Sequence, residues 1–136
     1  LAPKYPNDVI LAADTVVAFG DSLLGKPKDP ANARRMLKLL AGTTHIVITG
    51  VAVVQASTKF ERIKRVMSSV RMRFLTPHEI DRYIESGDWE GKAGGYGIQD
   101  HDPFVKKMHG CHTNIVGLPM TTTKVLLAAA GIYPKI

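Results

Sequence analysis

Val9-Ile10-Leu11-Ala12-Ala13-Asp14-Thr15-Val16-Val17 is the stretch around which the chain is organised. Five small or apolar residues lead into an acid, and β-branched residues follow it. The run is too short for a buried helix and reads as a buried strand. Asp14 then stands at the end of that strand, where a carboxylate is costly to bury unless it is paired, hydrogen-bonded or metal-bound. Two readings stay open. Asp14 caps the next turn, or it is a functional carboxylate at the carboxyl edge of a sheet, where open α/β sheets place their ligands.

The pattern outward from this strand mixes β and α signals. Gly20-Asp21 reads as a hairpin turn, with Ser22-Leu23-Leu24 returning. After the loop Gly25-Lys26-Pro27-Lys28, Asp29 caps a helix with Pro30 at its first position. Ala33, Met36, Leu37 and Leu40 give that helix one apolar stripe, and Gly42 stops it. Thr44 to Gln55 is the longest β-rich run. Apolar residues occur at both of its parities, which predicts a central strand covered on both sides. Glu61 to Phe74 alternates Val66, Ser68, Val70, Met72 and Phe74 against Met67, Ser69, Arg71 and Arg73. It reads as a strand with one buried and one basic face, paired antiparallel with the preceding run. Thr76-Pro77-His78-Glu79 is a capping box, followed by the stripe Ile80, Tyr83, Ile84 and a stop at Gly87. A glycine-rich loop at residues 91–99, a short strand from Phe104 to His109 and a last helix from Pro119 to Gly131 complete the pass. The class is α/β or α+β.

Bulk properties narrow the function. The chain of 136 residues is 45% hydrophobic and 22% charged, as expected of one globular domain. No apolar run reaches membrane-spanning length. The single Cys111 allows no intramolecular disulfide and fits a reducing cytoplasm. The net charge of +6 favours an anionic partner, whether a nucleotide, a nucleic acid or an acidic surface. The chain begins with Leu1 rather than Met, as a fragment or processed product would.

Besides Asp14-Thr15, three features carry possible chemistry. Lys26 sits between a glycine and a proline, so a stiff turn can aim its ammonium at phosphate; the bland alternative is a surface lysine. Gly91-Lys92-Ala93-Gly94-Gly95-Tyr96-Gly97-Ile98-Gln99 has four glycines in nine residues. They let backbone N–H groups approach an anion, with Lys92 adding charge and Gln99 able to read a base edge; the alternative is a tight structural loop. His109-Gly110-Cys111-His112 lacks any metal-ligand spacing and reads as a polar strand end.

Together the motifs resemble a family. Ala13-Asp14-Thr15-Val16-Val17, Leu24-Gly25-Lys26-Pro27, Thr49-Gly50-Val51, the segment from Lys92 to Gln99, and Asn114-Ile115-Val116-Gly117-Leu118-Pro119 occur in the order expected of the Maf proteins, nucleoside triphosphate pyrophosphatases also called septum formation inhibitors. The resemblance implies an α/β fold with an elongated mixed sheet, flanking helices and a two-lobed cleft, similar to inosine triphosphate pyrophosphatases. It implies hydrolysis of a nucleoside triphosphate, in the branch acting on dTTP and UTP, with a divalent cation, Mg or Mn. Asp14 matches the position of the proton acceptor and would hold the metal. Lys26 and Lys92 match lysines placed at the phosphates, and Thr15 and Gln99 match positions linked to base selection. The family's opening strand and Ser-x-Ser-Pro-Arg-Arg loop have no counterpart in residues 1–136, so the expectation is a single Maf-like domain truncated at its amino terminus. A homodimer would fit the family. Two rival readings are a catalytically inactive Maf-like remnant and a basic nucleic-acid-binding module built on Arg71 and Arg73.

Overall fold

A computed structural model describes residues 2–97, 104–110 and 118–133, the side chains of 106–108 excepted. After a 3-10 turn at Ala2–Lys4, the elements are β1 (Ile10–Phe19), β2 (Ser22–Leu24), α1 (Pro30–Leu40), β3 (Thr44–Gln55), β4 (Phe60–Met72), α2 (Pro77–Ser86), β5 (Val105–His109) and α3 (Met120–Ala129). The strands form one sheet in the order β2-β1-β3-β4-β5. Strands and helices are mixed as expected, but each of the four described pairings is antiparallel, where a mixed sheet was predicted.

Local chemistry explains the boundaries. Asp29 accepts a hydrogen bond from the Asn32 amide at 2.7 Å and opens α1 ahead of Pro30. The stripe Ala33, Met36, Leu37 and Leu40 is buried. At α2 both halves of the capping box are made, each at 3.1 Å between Thr76 and Glu79, and Gly87 closes the helix in the left-handed conformation. An Arg34–Asp81 ion pair joins α1 to α2 at the surface.

The long ribbon is continuous from Thr44↔Arg71 to Gln55↔Phe60. On β3, His45, Val47, Thr49, Val51 and Val53 are buried, while Ile46, Ile48, Gly50, Ala52 and Val54 are only half-buried. The prediction that both faces are covered is therefore corrected: the helices lie over one face. On the other, Ile63 and Met67 of β4 are exposed. Apolar residues at both parities reflect β-propensity as much as burial. Phe74 is also corrected. It is 75% exposed, because β4 ends at Met72, where the pairing with β5 shifts register.

The covered face carries two apolar clusters. The larger gathers Val17, Val47 and Val70 from the sheet with Leu37 and Leu40 of α1, Ile80 and Tyr83 of α2, and Trp89, Tyr96 and Phe104. The smaller gathers Val51 and Val53 with Leu126 of α3. Between them on β3 sits Thr49, fully buried, with its hydroxyl 2.8 Å from that of Thr15. Two lobes of core thus share one sheet, with a polar waist at Thr15–Thr49.

Candidate functional site

Asp14 lies in the middle of a ten-residue strand, a correction to its expected place at the strand's end. It pairs across with Gly50, and Thr15 pairs with Thr49. Successive strand residues face opposite sides. Thr15 therefore turns to the covered face and the waist, and Asp14 to the open one. Asp14 is exposed, and its carboxylate accepts the Thr15 amide at 3.0 Å.

One edge of β1 carries no paired strand beside Asp14 and Thr15 among the described residues. β3 pairs with β1 from Ile10 to Ala18, whereas β2 pairs only with Val17, Ala18 and Phe19. Had β2 continued in register beyond Val17↔Leu24, Gly25 and Lys26 would have lain opposite Val16 and Thr15. Instead the chain turns away after Leu24. Pro27 is buried while Lys26 is exposed, so the turn is anchored by its proline and presents its lysine to the surface.

The glycine-rich loop is held against this turn. The Gly94 amide donates to the Gly25 carbonyl at 3.0 Å, and the Gly95 amide donates to the Lys92 carbonyl at 3.0 Å. Gly94 has φ of 73°, and a Cβ there would come 2.9 Å from Val17 and 3.2 Å from Leu40, so only glycine fits. Lys92, half-buried, and Lys26 thus leave the backbone on either side of one hydrogen bond. This pair of loops meets β1 at Val17, two residues from Thr15 and three from Asp14, or about 10 Å of strand at ~3.3 Å per residue. Gln99, also predicted for the site, lies outside the described residues, as do Cys111 and His112. His109 is the exposed last residue of β5.

The sequence reading missed a buried polar relay behind this loop. Tyr96 Oη lies 2.6 Å from His45 Nε2, with the rings edge to face. On the far side of the imidazole, Nδ1 is 3.4 Å from the Thr43 hydroxyl, which donates to the Leu40 carbonyl at 2.7 Å. Because that hydroxyl has spent its proton on Leu40, it can only accept from His45. This assigns the proton to Nδ1 and leaves Nε2 to accept from Tyr96. Burial pushes the His45 pKa down to about 4 and the Tyr96 pKa up, so both groups are neutral near pH 7.

Other surface features carry less. Among the described residues, no cluster of three His, Cys, Asp or Glu side chains could form a metal cage. The single exposed carboxylate of Asp14 suits Mg²⁺, which binds through one or two carboxylates together with substrate phosphates and water. An open cavity of about 540 Å³ lined by Tyr5, Asn7, Asp8, Val9, Ile10 and Ile132 contains none of the predicted site residues. Arg73, half of the basic pair behind the nucleic-acid reading, is engaged by Glu79 at 2.6 Å and stacks over the Phe104 ring. No helix of the described residues is long and apolar enough to cross a membrane.

Comparison with known proteins shows the family. The family model described as Maf-like protein matches residues 1–130. The dTTP/UTP pyrophosphatase of Roseobacter denitrificans is 51% identical over 127 residues, 93% of this chain and 66% of the relative. That of Cereibacter sphaeroides is 48% identical over 128 residues, again 93% and 66%. That of Pyrococcus furiosus is 43% identical over 121 residues, 88% and 63%. The chain spans about two thirds of the length of the curated relatives it matches, 66% of the first two.

Proposed function

Because this chain belongs to the Maf family, we propose that it takes part in hydrolysing dTTP and UTP to the monophosphate and pyrophosphate. The supporting observation is the hydrogen bond from Gly94 to Gly25, which joins the two lysine-bearing loops beside the strand that carries Asp14 and Thr15. A triphosphate brings several negative charges, and two lysines on adjoining loops can share them. Catalysis of phosphoryl chemistry is mostly positioning and electrostatic stabilisation.

In this reading Lys26 and Lys92 hold the polyphosphate. Asp14, on the open face, orients the attacking water or takes its proton. The water oxygen forms a bond to phosphorus at the α–β linkage, the anhydride bond there breaks, and pyrophosphate leaves with the electron pair. Thr15 closes the base pocket from the waist, and Gln99 pairs with the pyrimidine edge. Asp14 would hold a divalent cation, which when bound neutralises part of the phosphate charge.

The test is pyrophosphate release from UTP, dTTP, CTP and GTP with Mg²⁺ or Mn²⁺, with Asp14→Asn beside the parent chain. Selective turnover of UTP and dTTP, abolished by Asp14→Asn, is the expected result. No turnover by a folded chain overturns the proposal in favour of an inactive remnant. Steeply salt-dependent binding of single-stranded nucleic acid would favour the nucleic-acid module instead.

A further inference from the structure

We propose that His45 and Tyr96 are positioning residues for the Lys92 loop, and that their buried hydrogen bond sets the spacing of Lys26 and Lys92 around a polyphosphate. The inference rests on the reading of those two lysines as phosphate ligands.

The loop needs an anchor. From Ala93 to Gly97 its residues are Ala, Gly, Gly, Tyr and Gly, so Tyr96 carries the one large side chain. Glycines lose the most backbone freedom on ordering, and a loop built from them is not held by its own preferences. At its front the loop is tied to the Lys26 turn through Gly94 and Gly25. At its back it is tied through Tyr96 to His45, which is 2% exposed at the start of β3. His45 pairs with Val70 of β4 and stands one residue before Ile46–Val54, the run of β3 that pairs on both sides, so it is fixed to the sheet through β4. The relay continues through Thr43 to the last turn of α1. The lysine-bearing segment is thereby referenced to both sheet and helix. A buried, fully partnered polar chain of this kind imposes direction as well as cohesion, which apolar packing of the same ring would not.

The experiment is calorimetric titration with inorganic tripolyphosphate in the presence of Mg²⁺, using the parent chain, Tyr96→Phe, Lys92→Ala and the double variant, each shown to be folded. Phe keeps the ring packing and removes only the hydroxyl. Tyr96→Phe should weaken binding roughly tenfold in the parent background and by less than about twofold in the Lys92→Ala background, because the hydroxyl acts through that lysine. His45→Gln, whose side-chain carbonyl can still accept from Tyr96, should stay within about threefold of the parent, whereas His45→Leu should match Tyr96→Phe. Equal weakening by Tyr96→Phe in both backgrounds, or none in the parent, overturns the inference while leaving the phosphate role of Lys92 standing. Undiminished binding by Lys92→Ala removes that role, and the inference with it.

Discussion

Tyr96 and His45 are separated by 51 residues in sequence and by 2.6 Å in space, and the bond between them requires a neutral imidazole. Protonating Nε2 would place a second donor against the Tyr96 hydroxyl, whose own proton would need a new acceptor inside the core. Burial already holds the His45 pKa near 4, against 6.5 for an ordinary histidine. Between those values the unfolded chain binds a proton that native His45 refuses. Stability therefore falls as pH drops from 6.5 toward 4, and this contribution is flat above that window. A depression from 6.5 to about 4 corresponds to roughly 3 kcal/mol in total. Denaturant unfolding at a series of pH values checks this. His45→Gln, which removes the titrating group, should show a loss on acidification that is shallower by that amount.

Two glycines of the site region should respond unequally to alanine. At Gly94 the backbone is left-handed and the new Cβ would collide with Val17 and Leu40. Gly94→Ala is expected to cost roughly 2–3 kcal/mol in denaturant unfolding. Gly50, which sits between Asp14 and Arg65 in the strand register, has open space where a Cβ would go. Gly50→Ala should leave stability within about 0.5 kcal/mol of the parent. Equal costs at the two positions would contradict the packing of the Gly94 turn against β1.

Thr123, in α3, is 2% exposed, and its hydroxyl has no hydrogen-bond partner among the described residues. Valine has nearly the same shape without the polar atom. Thr123→Val should raise stability by about 1 kcal/mol. A shift of the unfolding midpoint to lower denaturant would show instead that the hydroxyl is satisfied.

The legible parts of the fold were those written in local chemistry. Asp29 before Pro30, the reciprocal Thr76–Glu79 cap and the Gly20-Asp21 turn each state an element boundary within four residues, and each is found where the sequence placed it. What failed depends on partners the sequence does not name. Ile46 and Ile48 look like core residues, yet which face of β3 is covered is decided by where α1, α2 and α3 pack. Phe74 continues the alternation of β4 on paper, but the register shift between Arg71 and Met72 ends the strand before it.

The same division runs through the site. Residue type and spacing single out Asp14, Lys26 and Lys92 as candidates, and the structure adds what spacing could not supply. It places Asp14 mid-strand and joins the Lys26 turn to the Lys92 loop. His45 gave no signal, because a histidine opening a β-rich run looks like any half-polar strand start. Its partner lies in a segment whose glycines drew attention away from its tyrosine.

The hydrogen bond from Gly94 to Gly25, together with the closeness of Gly95 to Pro27, where an added Cβ would meet the ring at 3.4 Å, makes the two loops one structural unit. Chimeras between relatives with different nucleotide preferences would have to exchange them as a matched set. Transplanting the glycine-rich segment alone would set a foreign loop against a turn shaped for another, and any change of preference would be confounded with misfit at that seam.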